Sequence, residues 1–480
     1  MSRSPAAVAV VGALVLVGAY AGASWYAGRE AESEIERFVE QVNLGLAAQW
    51  TVSEPQPLLR IDDYQRGWFS SQIRYTLAYR DDAGRARDLH FQDDLAHGPL
   101  PWAALRAGDW RPAMAYSRLS LTPSDAWRAW FDGVEGGGSP LTIDTRIAFD
   151  GKIHTVWQLR AAKVNGEDTQ LAFDAGRMTV DYDPGTRATE AQGSLGELGL
   201  VAPETGERLR LRDVTIQSNG VLADDSGGQT HYRLSIGQAL LEQPDTPVVE
   251  MHGLEVGLDA ARTGALADGR LRYALDQLRV GGADMGRLEF GASAQRLDVA
   301  AFQALRRDWE RIAATGDESE GLSPEDEAML RERLGPVLAA GPSVAIDPLR
   351  WLNAQGRSQA TLAVDFTAPG EAGADAAGLG AFIEGALRQV RLDVEVSKAM
   401  LLETARRANP ADAERAAAMA SMAFDHVSGR LVRAGLIGLE GGVARLAFIY
   451  GAGRVILNGR DMPVVDFLAL VSPWLLGAFE

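Results

Sequence analysis

The chain has 480 residues, of which 47 are basic, 65 are acidic and none is cysteine. Because one hydrophobic core seldom grows beyond about 250–300 residues, this length favours about two to three structural units. The net charge of -18 disfavours nucleic acid as a partner, since phosphate contacts require a basic surface. Without cysteine, the chain has no disulfides, no thiol nucleophile, and no thiolate-bound zinc or iron–sulfur cluster.

The first apolar run, from Pro5 to Tyr26, contains no charged residue. As a helix it is about 33 Å long, which is enough to cross a bilayer core of about 30 Å. A cleavable signal peptide is the alternative, with Ala21-Gly22-Ala23 as the cleavage site. The length of the run, its weakly basic start at Arg3 and the aromatic pair Trp25-Tyr26 favour a retained anchor.

The charges on either side of this run indicate its orientation. Arg3 precedes it, whereas acidic residues outnumber basic ones after it, at Glu30, Glu32, Glu34 and Glu36. The positive-inside tendency then places residues 1–4 in the cytoplasm and the bulk of the chain in the periplasm. The sequence therefore predicts a single-pass protein of the bacterial inner membrane, held there by residues 5–26.

Residues 27–50 are predicted to form a stalk helix. Ile35, Phe38, Val39, Val42 and Leu46 have the spacing of one apolar helical stripe. The stripe can pack on the domain that follows, or it can form a coiled-coil dimer seam. Its short length favours packing.

Three short motifs follow one another along the chain. The first is Tyr64-Gln65-Arg66-Gly67-Trp68-Phe69-Ser70-Ser71, the second is Ala96-His97-Gly98-Pro99, and the third is Asn458-Gly459 after the predicted strand pair of Leu446 to Leu457. In this order they resemble the YdgA-like family of bacterial envelope proteins, which carry a Y-x-R-G-x-F-S-S-like signature, an H-G-P-like turn and a closing strand pair with an N-G turn. The resemblance spans almost the whole chain and implies an envelope protein, but members of the family are mostly of unknown function.

A structural role explains the signature residues without catalysis. Gly67 permits a tight turn, Trp68 and Phe69 offer large surfaces to bury, and Ser70 and Ser71 can satisfy backbone groups near the turn. The alternative is a serine nucleophile at Ser70 or Ser71 with His97 as its base. The G-x-S-x-G elbow that usually presents such a serine is absent.

A metal site has one candidate set. His90 and His97 can meet Asp93 or Asp94 across a turn, but no two histidines have ligand spacing on one element. Solvated or core histidines are the simpler interpretation, and no cofactor is expected. The acidic pairs Asp62/Asp63 and Asp181/Asp183 are typical of strand ends rather than of a glycosidase pair.

From Ser117 to Leu297 apolar and polar residues alternate, which is typical of half-buried strands. Leu141, Ile143, Ile147 and Phe149 precede an Asp150-Gly151 turn, and Ile153, Trp157 and Leu159 follow it, so a hairpin is predicted. The same alternation recurs at Leu171/Phe173, Met178/Val180/Tyr182, Leu209/Leu211, Val214/Ile216, Leu234/Ile236, Leu254/Val256/Leu258, Leu271/Tyr273/Leu275 and Leu288/Phe290. About ten strands joined by short turns predict an antiparallel meander over residues 51–298.

The apolar face of such a sheet must be covered, and three covers are possible. The sheet can close as a barrel, pack against a second sheet or its own helices, or curl into a trough that holds a lipophilic ligand. Packing against the chain's own elements is the simplest of the three. The trough is an architectural analogy with lipid-transfer proteins that combine an anchor with a long curved sheet.

The remainder is predicted as a helical segment with an acidic linker (299–342) and a C-terminal α+β part (343–480). Helices are predicted around Phe302–Ile312, from Ser323 as N-cap to Gly341-Pro342, and at Lys398–Arg407 and Ala411–Leu431, where Asn409-Pro410 separates the last two. N-terminal capping explains Glu325, Asp326 and Glu327 without calcium. Strands are predicted at Leu362–Phe366, Leu392–Val396 and Leu446–Leu457, and the tail Val464–Leu476 is predicted as a docked core helix rather than a second membrane span.

The fold class is therefore α+β and β-dominated, with a transmembrane helix followed by a large antiparallel sheet that carries helices. Because common catalytic motifs are missing, binding is favoured over catalysis. The leading hypothesis is a periplasmic protein of envelope organisation that holds phospholipid in a curved sheet. The alternatives are a scaffold in an envelope complex, as a homo-oligomer or with a protein partner, and a hydrolase of an envelope polymer.

Overall fold

The computed structural model describes residues 39–40, 43, 46, 56–66, 70–80, 84–97, 101–106, 108–166, 169–224, 227–315, 322–370 and 378–476. The predicted cytoplasmic tip at 1–4 and the predicted anchor at 5–26 lie outside these residues. Among the described residues, no helix is long and apolar enough to cross a membrane.

The described chain is β-dominated with antiparallel strand pairing and a few helices, as the sequence predicts. It forms two compact units, Met1–Leu222 and Ala223–Glu480. This division falls inside the predicted domain 51–298 and differs from the predicted boundaries at 298 and 342. The strand that ends at Asp298 pairs directly with the strand that begins at Ser343, so the helical segment between them is an insertion within one sheet.

Among its described residues, the first unit contains a sheet and short helical segments. Its elements are β1 (Leu58–Arg66), β2 (Ser70–Arg80), β3 (Ala86–His97), α1 (Trp102–Arg106), β4 (Ala115–Thr122), α2 (Arg128–Gly133), β5 (Leu141–Ile147), β6 (Ile153–Leu159), β7 (Ala162–Asn165), β8 (Gln170–Phe173), β9 (Gly176–Asp183), β10 (Ala188–Ala202) and β11 (Glu207–Asp224). Successive strands pair from β1 to β6. The meander is then interrupted, because β6 pairs with β9 while the β7–β8 hairpin pairs with the far half of β10.

The predicted hairpin around Asp150-Gly151 is confirmed, since Ile147 pairs with Ile153 and Leu141 with Leu159. The alternation ends one residue pair earlier than the sequence suggests. Phe149 lies in the turn and is 60% exposed. Because β5 ends at Ile147, Phe149 has no cross-strand neighbour to pack against.

The interior of the first unit is covered by elements of the unit itself. Its main cluster of buried side chains includes Leu59, Tyr75, Phe91 and Trp127, with Leu46 only 1% exposed. Val39 packs against the same cluster. Asn43 accepts a hydrogen bond from the backbone N–H of Leu59 at 2.8 Å and donates to its carbonyl at 2.9 Å. These predicted stalk residues therefore pack on the domain, while Ile35, Phe38 and Val42 lie outside the described residues.

The second unit also contains one meandering sheet, to which longer helices are added. Its elements are β12 (Gly227–Glu242), β13 (Val249–Thr263), β14 (Leu266–Val280), β15 (Ala283–Asp298), α3 (Val299–Thr315), α4 (Pro324–Ala339), β16 (Ser343–Asn353), β17 (Gly356–Phe366), α5 (Leu379–Ala386), β18 (Leu387–Ser397), α6 (Lys398–Ala408), α7 (Ala413–Arg433), β19 (Gly438–Glu440), β20 (Val443–Gly451), β21 (Arg454–Leu457), β22 (Arg460–Pro463) and α8 (Val464–Leu476). Each strand from β12 to β18 pairs with the next, and β18 pairs with β20.

The helix boundaries follow the predicted local signals. Ser323 caps α4, its hydroxyl accepting a hydrogen bond from the backbone N–H of Asp326 at 3.1 Å. A 3₁₀ turn at Pro410–Asp412 separates α6 from α7. The predicted apolar stripe of α3 is incompletely covered, because Phe302 is 40% and Trp309 is 52% exposed.

The C-terminal elements surround a cluster of buried side chains made by Leu436, Val455 and Leu457. The helix α8 docks on it, and the ring of Phe467 lies 5.1 Å from the ring of Phe448. This agrees with the predicted docked helix. The short strand β22, which follows the N-G turn, is missing from the sequence prediction.

Gly286 marks a close approach between the backbones of β15 and β16. Its φ is +98°, and a Cβ atom there would lie 1.9 Å from the carbonyl oxygen of Leu352 in β16. We expect Gly286→Ala to lower the free energy of unfolding by more than about 2 kcal/mol, because either the side chain or the strand must move. Urea unfolding of the full chain measures the change. Gly282→Ala is the matched control, because Gly282 also has a positive φ, of 80°, but its Cβ meets nothing within 4 Å. Equal losses in the two variants would contradict the close approach.

Candidate functional site

The first family motif lies at one edge of the sheet in the first unit. Tyr64 is in β1, and its hydroxyl lies 3.4 Å from the hydroxyl of Ser71 at the start of β2. Ser71 is 1% exposed, whereas Ser70 beside it is exposed. These two hydroxyls thus join β1 to β2 at the edge of the sheet.

The remaining signature residues are only partly described. Arg66 ends β1 and His97 ends β3, where His97 is the register partner of Ala115, and the description of both covers the backbone alone. Gly67, Trp68, Phe69, Gly98 and Pro99 lie outside the described residues. The backbone places His97 two residues beyond Leu95, the register partner of Ser71.

Asn458 and Gly459 form the two-residue turn between β21 and β22, with positive φ angles of 48° and 82°. The side chain of Asn458 also connects three segments. Its Oδ1 accepts from the backbone N–H of Ala447 at 2.9 Å, and its Nδ2 donates to the carbonyl of Leu436 at 3.0 Å. The third family motif is therefore an anchored turn.

We expect Asn458→Ala to destabilise the second unit by about 2 kcal/mol, since it loses these bonds and places a Cβ in the left-handed region without compensation. Asn458→Gly is the control, because it loses the same bonds but removes the backbone strain. Thermal unfolding should rank wild type above the glycine variant and the glycine variant above the alanine variant. An alanine variant as stable as wild type would show that the turn carries no anchoring role.

A buried polar row crosses the apolar side of the first unit, and we define it as Ser71, Asp93, Ser117, Thr145 and Thr155. Each of these side chains is less than a tenth exposed. Register places Ser117 beside Thr145 and Thr145 beside Thr155, whose hydroxyls are 3.3 Å apart. The hydroxyl of Ser117 donates to Oδ1 of Asp93 at 2.5 Å.

Asp93 is the titratable group of this row. Burial raises the pKa of its carboxyl to about 6, the hydrogen bond from Ser117 acts in the opposite direction, and the charge of Asp94 raises the pKa further. The sequence contains a signal for it, because Leu89, Phe91, Asp93 and Leu95 share one face of β3 and Asp93 stands at an apolar position of that alternation. From the sequence, Asp93 is predicted only as a candidate metal ligand.

Two of the residues considered for a metal site lie on opposite faces of the sheet. His90 and Asp93 are three residues apart on one strand, so their side chains leave opposite faces of the sheet. The Nδ1 of His90 lies 2.7 Å from the hydroxyl of Thr76, which also hydrogen-bonds Asp62. Within the described residues, no group of three or more metal-ligating side chains is present.

The acidic pairs Asp62/Asp63 and Asp181/Asp183 also have structural partners. Asp63 forms an ion pair with Arg74 at 2.6 Å, and Nδ1 of His154 lies 2.7 Å from Oδ1 of Asp181. Asp183 accepts a hydrogen bond from the backbone N–H of Gly185 in the adjacent turn at 2.9 Å. Neither pair has the arrangement of two carboxyls across a cleft.

The second unit has a much larger feature, an apolar face that continues from β12 to β20. Cross-strand register aligns its side chains in two adjacent rows. The first row is Tyr232, Leu258, Leu271, Ala292, Ile346, Leu362, Leu392 and Phe448, and the second is Leu234, Val256, Tyr273, Phe290, Leu349, Ala360, Val394 and Leu446. We call these two rows the apolar face.

None of the side chains of the apolar face is fully buried. Tyr232 is 48%, Leu258 39%, Tyr273 41% and Leu349 53% exposed. In the first unit, by contrast, Ile73, Ile143 and Trp157 are each at most 6% exposed on the apolar side of its sheet. The apolar face is therefore incompletely covered from β12 to β18, whereas at β20 Leu446 and Phe448 pack on the C-terminal cluster. A continuous exposed apolar surface usually marks a binding site.

The opposite side of the same strands is polar. The side chains of Glu289, Arg350, Gln359, Glu395 and Arg445 are register neighbours across five strands. Arg350 pairs with Glu289 at 2.9 Å and donates to Gln359 at 3.3 Å, and Arg445 approaches Glu395 at 3.6 Å. The charged side chains of this set are thus paired with one another, whereas the two rows of the apolar side contain no charged side chain.

Comparison with known proteins places the chain among bacterial proteins without an assigned function. The family model described as "Bacterial protein of unknown function (DUF945)" matches residues 5–465. Protein YdgA of Escherichia coli K12 is 23% identical over 98% of this chain and 97% of its own length, and the uncharacterised protein YihF of the same organism is 22% identical over 98% of both. No solved structure matches. These matches confirm the resemblance that the three motifs indicate.

Proposed function

Since the chain belongs to this bacterial family of unknown function, DUF945, we propose its function from its own surfaces: it binds lipid acyl chains on the apolar face. In this proposal residues 5–26 anchor the chain in the inner membrane and the two units lie in the periplasm. The protein acts by binding rather than by catalysis. The observation that supports the proposal most is that no side chain of two uncharged rows is buried across eight paired strands, and that four of them are 39–53% exposed.

An acyl chain is the occupant that suits this surface. The two rows contain no charged or amide side chain, so a protein partner would have to present an equally long uncharged surface. Covering apolar area contributes about 25 cal/mol per Å² removed from water, and each buried methylene contributes about 0.8 kcal/mol. A long acyl chain therefore gains on the order of 10 kcal/mol from such a surface, before the cost of ordering it.

The uncharged run at Pro5–Tyr26 supports lipid as the source of these chains. A helix of that length would hold the chain beside a bilayer, where lipids are the most abundant apolar molecules. A second copy of the chain, apposed face to face, is the competing occupant.

Photocrosslinking on the full chain tests the proposal. The protein is reconstituted in nanodiscs that contain a phospholipid with a diazirine on its acyl chain, and crosslinked peptides are mapped by mass spectrometry. We expect labels on β13, β14, β16 and β17 in addition to residues 5–26. Labels confined to residues 1–38 would overturn the proposal. A dimer linked through the apolar face would replace lipid by a second copy.

A further inference from the structure

We infer that the apolar face recognises lipids by their acyl chains alone and leaves the head group in solvent, so that binding does not depend on the head group. This inference rests on the proposed function and specifies its substrate class.

The composition of the two rows offers a lipid head group no ionic partner. Their polar atoms are the phenol hydroxyls of Tyr232 and Tyr273, and neither row contains lysine, arginine or histidine. Phosphate recognition in proteins uses charged donors, above all arginine forks, or clustered backbone N–H groups. In a continuous sheet, the backbone N–H groups are already bonded to neighbouring strands. A phosphate placed on this face would therefore lose water without gaining a partner.

The charged side chains of the same strands point to the opposite side of the sheet. Arg350 and Arg445 leave the polar side of the sheet, where Glu289 and Glu395 neutralise them. Because side chains alternate along a strand, a cation next to the apolar face in sequence is on the far side of the sheet in space. The cations closest in sequence are thus unable to select an anionic head group on this face.

The apolar face is longer than one acyl chain. Six steps between neighbouring strands from β12 to β18, at about 4.8 Å each, give about 29 Å. One leaflet of acyl chains fills about half of the 30 Å bilayer core. The apolar face is therefore about twice as long as one acyl chain, and no charged side chain along either row fixes where a chain must end.

The test uses the full chain in phosphatidylcholine nanodiscs with three probes in turn. The probes carry the same diazirine-labelled acyl chain and differ only in their head group, which is phosphocholine, phosphoethanolamine or phosphoglycerol. The readout is the yield of crosslinks on β13, β14, β16 and β17 divided by the yield on residues 5–26, which corrects for lipid that merely surrounds the anchor.

We expect the three ratios to agree within about twofold, a difference well below that of one charge-assisted contact. A ratio more than about tenfold higher for one head group would overturn the inference and leave the proposed function in place. If no probe labels the apolar face, the proposed function itself fails.

Discussion

Replacing Tyr273 and Leu349 together by glutamate should lower acyl-chain crosslinking of the apolar face at least about tenfold. The two side chains flank Phe290 in the second row, so the substitution places two carboxylates on either side of one aromatic ring. An acyl chain on the face would then desolvate both charges without supplying partners. Because Tyr273 is 41% and Leu349 is 53% exposed, the sheet itself should tolerate the change.

Met422→Glu is the matched control for this prediction. Met422 lies on α7, outside the apolar face, and is 73% exposed, so the variant also adds a carboxylate at an exposed apolar position. It should keep wild-type crosslinking. If the double variant retains both wild-type crosslinking and the wild-type melting temperature, the acyl chain does not occupy the second row.

Asp93→Asn should stabilise the protein at neutral pH and remove part of its pH dependence. Burial raises the pKa of Asp93 from 3.8 to about 6 in the folded chain. A carboxyl with a raised folded pKa supports stability fully below pH about 4 and loses that contribution as the pH rises through 6. The loss is on the order of 3 kcal/mol when complete, at 1.36 kcal/mol for each pKa unit. Asparagine stays neutral and can still accept the hydrogen bond from Ser117.

Urea unfolding of the full chain at pH 4, 5, 6 and 7.5 gives the comparison. The stability difference between Asp93→Asn and wild type should be small at pH 4 and should increase up to pH 7.5. Glu440→Gln is the control, because Glu440 lies in the other unit and its side chain is 92% exposed, so its difference should stay flat. A flat difference for Asp93→Asn would show that its carboxyl is not desolvated.

Local patterns made much of this fold predictable. The alternation at Leu254/Val256/Leu258 and Leu271/Tyr273/Leu275 marks two strands that the structure confirms, because side-chain period alone distinguishes half-buried strands. The helix break at Asn409-Pro410 and the N-cap at Ser323 could also be predicted, because both depend on residues adjacent in the sequence. In β16, by contrast, Pro348 and the bulge between Ile346 and Leu349 shift the alternation, so this strand was not predicted.

Long-range features were beyond local patterns. The pairing of β15 with β16 across the inserted helices α3 and α4 depends on tertiary contacts, and therefore the predicted boundaries at 298 and 342 do not coincide with the units. The apolar composition of the face was visible in the sequence, but its exposure was not, since exposure depends on what covers a surface. In the first unit Leu46 and Trp127 are buried against the sheet. The apolar face of the second unit is not covered in this way.

The strand order has a consequence for how such a protein can change in size. From β12 to β18 every strand pairs with its neighbour in sequence, so inserting or deleting one hairpin would leave all other pairings intact. Each added hairpin would widen the sheet by about 10 Å and return the chain to the same end of the strands. Because the two faces alternate residue by residue, the new strands would continue both faces if their pattern kept period two. The span of the second unit is thus adjustable in hairpin-sized steps, without a new topology.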